Sequence, residues 1–443
     1  MPTAGVPTSR FLSEDDCRRI AAIVTGSMSG GGQVQIGIYS QWQSTVRWAK
    51  NAITDSTDVR TNGLSIRRAN RDRWCDAITN QIDEVFLRDL VRRSERLLAV
   101  APVRGPSGSE RATLFPDDPY PRSRIWSDVT YRLDAATRAA TARQLVAPSV
   151  TAGMDSFGYI ETEAYGKSFV DTRGRLLYYP ATKATYRVTV RDPAGTGSGW
   201  AGQTFSDWNR IDTAKLSTTA LDKCLRSRNP VVIEPGRYTV ILEPQAVYDL
   251  VVRLFNSVAF SRLFRGKIGQ RVMDARLTVS QDPLDPDIDI FPFTADGEPL
   301  RATTWIDEGI VRALPYSRHE AVINLGRDAG QPFAEGIRMS GGESSLDAMI
   351  ASTKRGLLVT RFSNMSEVDP ASLLLTGYTR DGLWLVENGA ITKPVKNLRF
   401  TESPLFMLNN IDHLGSPVRV WGDFVVPPIK AHDFSFTALT DAV

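Results

Sequence analysis

The segment PGRYTVILEPQAVYDLVVRLFNSVAFSRLF, residues 235–264, decides the fold class of this chain. A run of β-branched and aliphatic residues near its start predicts a strand over residues 239–244. Pro244 then stands where a helix can begin, because a proline in the first turn removes no hydrogen bond that the helix needs. After it, apolar residues recur every three or four positions, which predicts a helix over residues 245–264 with one buried face.

The rest of the chain mixes the same two patterns. Helical spacing of apolar residues marks the stretches 12–24, 85–100, 127–146 and 344–353. Ser13 with Asp16, and Ser344 with Asp347, are typical of capping boxes at two of these helix starts. β-Branched or alternating runs mark the predicted strands: 34–40, 44–49, 63–69, several within 150–205, 275–280, 302–307, 321–325, 356–362, 382–389, 419–426 and 433–439. A Pro-rich stretch over residues 101–123 is expected to be a loop, and the whole pattern indicates an α+β fold.

Composition restricts the class of protein. The 443 residues suffice for two or three domains, and we expect two. Hydrophobic residues make up 42% of the chain and charged residues 23%, values that are typical of folded proteins and not of disordered ones. The 53 basic and 50 acidic residues nearly balance, so we expect no direct binding to nucleic acid.

The sequence also bears on location. It has no run of eighteen apolar residues, so we expect no membrane span and no membrane partner. The first residues, MPTAGVPTSR, lack the apolar core that a signal peptide needs. Three widely spaced cysteines, Cys17, Cys75 and Cys224, favour a reducing compartment over structural disulfides. We therefore expect a cytoplasmic protein.

Motifs for metal or phosphate binding are incomplete. The cysteines and histidines include no pair within four residues, whereas structural zinc sites space their ligands closely. HEAVIN at residues 319–324 begins like a zinc-peptidase helix, but Ile323 and Asn324 stand where its second histidine belongs. GKS at residues 166–168 resembles the end of a phosphate-binding loop, but Glu161 replaces the required glycine. The acidic run at residues 282–289 lacks the glycine of a calcium loop, so we expect a solvated connector, with calcium binding as the minor alternative.

Several short pieces resemble one family, in the same order along the chain. They are RWAKN (47–51), PGRYTVILEPQAV (235–247), GKIG (266–269), LTVSQDP (277–283), DEG (307–309), GLLVT (356–360), ENG (387–389) and PV (394–395). On these pieces the chain resembles the TldD/PmbA family, once called modulators of DNA gyrase and related to zinc peptidases. The resemblance implies an N-terminal helix-and-sheet domain over residues 1–230 and a sheet-rich C-terminal domain over residues 231–443.

The family has two arms, and the choice between them decides the expected function. TldD-type subunits carry HExxxH at the start of the helix after the strand, and a cysteine near the C-terminus completes their zinc site. The corresponding positions in this chain hold Glu243, Pro244, Tyr248 and Trp421. Both histidines, the general base and the cysteine are thus replaced. The pattern "L-x-P-q-a" is similar to that of the PmbA arm, also called TldE, the non-catalytic half of a TldD–TldE heterodimer.

This resemblance implies a non-catalytic, TldE-like subunit that pairs with a TldD-type subunit carrying HExxxH. Zinc is then expected in the partner, and no cofactor is expected in this chain. The pair would bind and process unfolded or ribosomally made precursor peptides, and Asp307 and Glu308 are candidate residues of the peptide channel. Tyr248 and Trp421 are expected to fill the space of the metal site. Whether the chain forms a homodimer when the partner is missing stays open.

Two other classes of function stay open. One is a stand-alone, zinc-independent hydrolase that uses Glu243, Tyr248, Asp307 or Glu308, although the sequence offers no recognisable pairing of a nucleophile with a base. The other is a regulatory protein that binds peptides or proteins without cleaving them.

Overall fold

The computed structural model describes residues 10–29, 31–70, 73–103, 125–294, 297–317, 320–321, 326, 331–334 and 336–440. The helices of these residues are α1 (Glu14–Gly26), α2 (Glu84–Val100), α3 (Asp128–Arg132), α4 (Ala135–Thr151), α5 (Thr213–Arg226), α6 (Pro244–Leu254), α7 (Ser257–Phe264), α8 (Leu346–Ala351) and α9 (Pro404–Met407). A short 3₁₀ helix spans Trp208–Arg210.

The strands of the first half are β1 (Gln33–Ala49), β2 (Ala52–Asn70), β3 (Arg73–Thr79), β4 (Asp155–Asp171), β5 (Leu176–Arg191) and β6 (Ser198–Phe205). Those of the second half are β7 (Gly236–Leu242), β8 (Val279–Gln281), β9 (Thr303–Asp307), β10 (Ile310–Val311), β11 (Ile337–Met339), β12 (Arg355–Asp369), β13 (Leu374–Glu387), β14 (Ala390–Pro394), β15 (Leu398–Glu402), β16 (Ile411–Leu414), β17 (Val418–Arg419), β18 (Phe424–Val426) and β19 (Ile429–Leu439).

Sheet 1 has the order β3-β2-β1-β4-β5-β6 and is antiparallel throughout. Along β1 and β4 the buried residues alternate with more exposed ones, and Ile36, Val46 and Ile160 are among those that are fully buried. Helices α1 to α5 pack on this sheet. Because side chains alternate across a strand, the intervening residues form the other face, which is turned toward the second half of the chain.

Sheet 3 closes on itself. Its strands run β12-β7-β19-β15-β13, and the pairing of β13 with β12 completes a ring of five strands, to which β14 and β16 are added. Phe362, Phe400 and Phe434 come from three of these strands and form an aromatic stack, with ring centroids 4.6 Å apart for Phe362–Phe400 and 5.7 Å for Phe362–Phe434. Helix α6 contributes Val247 and Leu250 to the same core, so the ring and this helix form one packed unit.

Sheet 2 is built from short strands in the order β10-β9-β8-β11-β18-β17. Its Trp305 and Ile337 belong to the same core as the residues of the ring. The hairpin between β17 and β18 carries residues 420–423, and this hairpin faces sheet 1 across a groove described below. Sheet 2 therefore supports one wall of that groove.

The predicted α+β fold class is confirmed. Sheet 1 is formed entirely by residues 33–205, whereas sheets 2 and 3 are formed by residues 236–439. The predicted division into domains over residues 1–230 and 231–443 stays a prediction, because no measurement separates the two parts.

The first half contains longer strands than the sequence indicated. Residues 34–40 and 44–49, predicted as separate strands, are parts of the single strand β1, and residues 63–69 lie inside the nineteen-residue β2. Strand β3 was not predicted at all. The separate runs merge because Gln41, Trp42 and Gln43 continue the alternation, and the pairing with β2 has only one irregularity, between Arg47 and Trp48.

Two predicted helices are each broken into two. The helix expected over residues 245–264 ends at Leu254, and Asn256 starts the next one by accepting a hydrogen bond from the backbone N–H of Ala259. In the same way Asp134 caps α4 and separates it from α3. The capping box at Ser13 is confirmed, whereas the cap of α8 is Ser345 and not Ser344.

Some predictions lie outside the described residues. Of the loop predicted over residues 101–123 only residues 101–103 are described, and of the strand predicted over residues 321–325 only Ala321 is described, which is helical. His319 also lies outside the described residues.

A buried carboxylate joins the two halves. Asp381 on β13 has a fully buried side chain. It accepts a hydrogen bond from Arg361 Nε on β12 at 2.6 Å and another from the hydroxyl of Ser198 on β6. Its backbone is left-handed, with φ +56°, a conformation that Asp and Asn tolerate better than most residues. The side chain therefore fixes β6 of sheet 1 against sheet 3.

We expect Asp381→Asn to lower the free energy of unfolding by about 3 kcal/mol, because the amide keeps the shape and the backbone preference but leaves Arg361 without its counter-charge in a mostly buried site. Chemical denaturation measures this change. The matched control is Asp222→Asn, which removes an exposed carboxylate 3.4 Å from Arg226 and should cost less than about 1 kcal/mol. Equal effects of the two changes would contradict a role for Asp381 in joining the halves.

Candidate functional site

The start of α6 holds two of the four positions that the sequence resemblance aligns with the zinc site of TldD-type subunits. Pro244 is the first residue of the helix, as its lack of an N–H favours. Glu243 precedes it as the N-cap residue, and its backbone N–H donates to the carbonyl of Val359 at 3.0 Å. The Glu243 carboxylate is largely buried and forms an ion pair with Lys223 of α5, with Nζ and Oε2 2.5 Å apart. Glu243 therefore connects the two halves of the chain.

The other two positions are Tyr248, at the end of the first turn of α6, and Trp421, in the hairpin between β17 and β18. The rings of Tyr248 and Trp421 are in edge-to-face contact, with centroids 6.4 Å apart, and Phe424 contacts Tyr248 at 5.2 Å. Gly422 has φ +112°, and a Cβ there would lie 2.7 Å from the Tyr248 hydroxyl, so only glycine fits beside this ring. Both aromatic residues are half-buried, so they line a groove and do not seal a packed core.

The residues at these four positions do not fit a zinc ion. Glu243 is the one side chain of the four that commonly binds metal, and it lines a different cleft from Tyr248 and Trp421. Across the described ranges, no group of three His, Cys, Asp or Glu side chains is arranged to hold a metal ion. Of the histidines in those ranges, His432 is engaged with Asp412, with Nδ1 2.8 Å from Oδ1.

A long groove runs between sheet 1 and the second half of the chain. One part has a volume of about 480 Å³ and is lined by Tyr248 and Trp421. The adjoining part has a volume of about 580 Å³, and Glu163, Lys183 and Asp423 line both parts, so the two are continuous. The floor follows β4 from residue 159 to residue 167, a length of roughly 27 Å at the rise of an extended strand.

The groove floor consists of cross-strand rows of side chains. Neighbouring residues of β1, β4 and β5 face the groove together, and successive rows are two residues apart along each strand. In the order of β4 the rows are Arg47–Tyr159–Arg187, Thr45–Glu161–Thr185, Gln43–Glu163–Lys183, Gln41–Tyr165–Ala181 and Tyr39–Lys167–Tyr179. The floor is therefore mostly polar and carries charges of both signs.

Two glutamates dominate the middle of the floor. Glu161 accepts hydrogen bonds from Gln43 Nε2 at 2.8 Å and from the Thr45 hydroxyl at 2.9 Å. Glu163 accepts one from Gln41 Nε2 at 2.5 Å. Burial raises the pKa of Glu163, and the neighbouring Glu161 raises it further, whereas Lys183 opposes the shift. The two neighbouring carboxyl groups therefore favour a cationic group at this point of the groove.

A third carboxyl group lies beside the aromatic pair. Asp249 follows Tyr248 on α6 and accepts hydrogen bonds from Gln245 Nε2 at 2.9 Å and from the backbone N–H of Phe362 at 2.8 Å. Burial raises the pKa of Asp249 to about 6, although both hydrogen bonds and the nearby Arg361 oppose this shift. Gln245 also accepts a hydrogen bond from the backbone N–H of Trp421, so Asp249 is coupled to the hairpin of the groove wall.

Asp307 and Glu308, the other candidate residues, do not line this groove. Asp307 is the last residue of β9, and Glu308 lies in the turn to β10, where Glu308 has φ +48° and Gly309 has φ +74°. Asp307 is 3.1 Å from Arg312 across this hairpin. The sequence DEG is thus explained by a tight turn, and the role of these residues in a peptide channel stays an untested prediction.

The acidic run over residues 282–289 was wrongly predicted to be a solvated connector. Asp285 is nearly buried and forms an ion pair with Arg338 at 2.6 Å, and Asp289 forms one with Arg419 at 2.9 Å. Asp287 also pairs with Arg338, at 2.9 Å. Because guanidinium groups occupy these carboxylates, the segment is an anchor for the groove wall and not a calcium loop.

Sequence reasoning missed the groove residues Glu161, Glu163, Lys183 and Asp249. One signal was available for the first two, since YIETEAYGK at residues 159–167 places a polar or aromatic side chain at every second position. In the part of the chain that the structure describes, no helix is both long and apolar enough to cross a membrane.

We expect the stability difference between the wild type and Asp249→Asn to depend on pH. Because the pKa of Asp249 is about 6 in the folded state and 3.8 in the reference state, folding takes up a proton between these values. The free energy of unfolding of the wild type should therefore fall relative to that of the variant as the pH rises from about 4 to about 6.

Asp134→Asn is the control, because the stability contribution of Asp134 changes with pH in the opposite direction. Hydrogen bonds from the backbone and side chain of Thr137 lower the pKa of Asp134. The ionised Asp134 carboxylate therefore stabilises the folded state, and this stabilisation is lost as the pH falls below the ordinary pKa of 3.8. Denaturation of both variants from well below pH 3.8 to above about pH 6 measures the two slopes. A difference for Asp249→Asn that does not change with pH would show that its carboxyl group is not shifted.

Comparisons with known proteins agree with the architecture. Residues 235–438 match the family model described as the PmbA/TldA metallopeptidase C-terminal domain. A protein of Methanothermobacter thermautotrophicus named metalloprotease is 20% identical and aligns over 82% of this chain and 83% of its own length. A Haemophilus influenzae protein named metalloprotease TldD homolog is 28% identical over 41% of this chain and 39% of its own length.

Solved structures share the whole fold. A Bacteroides thetaiotaomicron protein described as a modulator of DNA gyrase superposes with a TM-score of 0.83 at 15% identity, over 97% of this chain and 100% of its own. TldE from Thermococcus kodakarensis superposes with a TM-score of 0.80 at 13% identity, over 95% of this chain and 100% of its own. Residues 235–438 therefore form a domain of the TldD/PmbA family of metallopeptidase-related proteins, and the whole chain shares the fold of the solved structures.

Proposed function

We propose that this chain is the non-catalytic, TldE-like subunit of a TldD/TldE-type zinc peptidase. It pairs with a TldD-type subunit that carries HExxxH and helps to bind unfolded or ribosomally made precursor peptides. The zinc and the activated water belong to the partner, because hydrolysis of a peptide bond needs both and the described residues of this chain offer no set of ligands for the metal.

The observation that carries the proposal is the chemistry at the four replaced positions. Glu243 is neutralised by Lys223 at 2.5 Å, Pro244 has no titratable group, and Tyr248 and Trp421 contact each other as aromatic rings. These contacts give each of the four residues a structural role, which supports a site without a metal ligand or a general base. A protein of this family with such a site can contribute binding surface but not the zinc chemistry.

The groove supports a role in binding peptides. Its length of roughly 27 Å accommodates an extended peptide of about eight residues at 3.3 Å per residue. Polar side chains of the floor offer donors and acceptors, whereas Phe291 and Phe293 in the wall offer apolar contacts for side chains of the peptide. An unfolded peptide would meet both kinds of contact along one path.

The test is cleavage by a mixture of this chain and its partner. The substrate is an unstructured peptide with a fluorophore at one end and a quencher at the other, and the partner is the TldD-type chain of the same organism. We expect cleavage in the mixture and none with this chain alone, because the activated water is supplied by the partner. Replacing the first histidine of the partner's HExxxH should abolish cleavage.

A chelator and a metal assay separate this proposal from a stand-alone hydrolase. Purified without added metal, this chain should carry no stoichiometric zinc, and His432→Ala should leave its metal content unchanged. If this chain alone cleaves the peptide and a chelator has no effect, the proposal is wrong. Glu163 and Asp249, whose carboxyl pKa values burial raises, are then the first residues to replace.

A further inference from the structure

Two arginines flank one aromatic ring at the end of the groove. The guanidinium carbons of Arg47 and Arg187 lie 5.7 Å and 5.8 Å from the ring centroid of Tyr159. Arg187 also lies 4.2 Å from the ring of Trp421, in the opposite wall. Tyr159 and Trp421 both line the groove, so the two guanidinium groups that contact these rings lie beside its end.

These two arginines form no close ion pair of the kind that neighbouring arginines form, although the charge of Arg187 acts on the more distant carboxyl group of Asp249 and lowers its pKa. Arg361 pairs with Asp381 and Arg419 with Asp289, both within 3 Å. Within the described ranges, neither Arg47 nor Arg187 has an aspartate or glutamate within ion-pair distance. The hydrogen bond of the Arg187 side chain there is a long one of 3.5 Å, from Nη1 to the Tyr159 hydroxyl.

The position of Arg187 suits it to bind an anion. The side chain is half-buried, and stacking on aromatic rings restricts the guanidinium plane while leaving its N–H groups at the edges. A planar guanidinium can donate two parallel hydrogen bonds to one carboxylate, and such charge-assisted bonds are stronger than neutral ones. Arg47, exposed on the other side of Tyr159, adds a second positive charge.

The middle of the groove floor is unfavourable for an anion. The next row, roughly 7 Å along the strands, carries Glu161, and the row after that carries Glu163 beside Lys183. Asp423 faces the same part from the opposite wall. A negatively charged group is repelled from this middle part, so the arginine end is the favourable place for it in this region of the groove.

We propose that Arg187, assisted by Arg47, forms a subsite that binds a carboxylate of a peptide lying in the groove. The inference rests on the proposed role of this chain in binding peptides and adds the chemical class that the groove selects. The carboxylate is either the C-terminus of the peptide or the side chain of an Asp or Glu. In both cases the subsite fixes the position of the peptide along the floor.

The test compares matched dansyl-labelled, ten-residue peptides of Gly, Ser and Ala by fluorescence titration of the isolated chain. One pair differs only in a C-terminal carboxylate or amide, and the other carries an internal Glu or Gln with an amidated end. At least one pair should show a preference for the carboxylate of roughly ten-fold or more in Kd, the range of a hydrogen-bonded charge pair. Which pair shows it identifies the source of the carboxylate.

Arg187→Met should remove this preference without weakening the amide or Gln peptide to the same extent, because the lost interaction involves the carboxylate alone. Arg47→Met, a change at an exposed residue that should not affect folding, should reduce the preference by a smaller factor. The matched control is Arg237→Met, which removes an arginine stacked on Phe406 at 5.5 Å outside the groove and should leave the preference intact.

Three outcomes would each overturn this inference. They are equal affinity for both members of each pair, absence of binding, and a carboxylate preference that persists in the folded Arg187→Met variant. Thermal melting establishes that the variants are folded. The assay needs neither the partner nor cleavage, so these outcomes leave the proposed subunit role standing. Cleavage by the isolated chain would instead contradict that role and leave the carboxylate preference as measured.

Discussion

The alternation of side chains along β4 is the constraint on which the groove depends. Ile160, Thr162 and Ala164 are buried beneath the helices, whereas Glu161 and Glu163 face the groove from the residues between them. A shift of the pairing by one residue would place the glutamates in the core and the isoleucine in the groove. Because burying an unpaired carboxylate is costly, the same pattern that stabilises sheet 1 also determines the chemistry of its open face.

The width of the groove depends on contacts between the two halves. In one part of the groove the two halves are joined by aromatic contacts. The ring centroid of Phe291 lies 5.5 Å from that of Tyr165 and 5.7 Å from that of Tyr179. Elsewhere the contacts are polar and directional: Ser198 to Asp381, Lys223 to Glu243, and Arg210 to Asp287. Polar contacts of this kind fix relative orientation more than they add to stability, which suits a site whose walls come from separate parts of the chain.

The sequence predicted the fold class and most of the strands and helices, because burial imposes a period of two or of three to four that one segment displays by itself. It missed the breaks at Asn256 and Asp134, since the apolar spacing continues across each break while a polar cap starts a new helix. The groove could not be predicted from the sequence for another reason. Glu163 and Asp423 line the same cavity although they are 260 positions apart, and no local pattern reports such a juxtaposition.

The surroundings of the first turn of α6 also bear on how this chain could change over evolution. A histidine at position 243 would leave Lys223 largely buried without its counter-charge, and a histidine at position 248 would vacate part of the space that the tyrosine ring occupies beside Gly422. Each single replacement is thus destabilising, because the other metal ligands that would offset its cost are still absent. A metal site at the start of α6 would therefore require several simultaneous replacements in this chain.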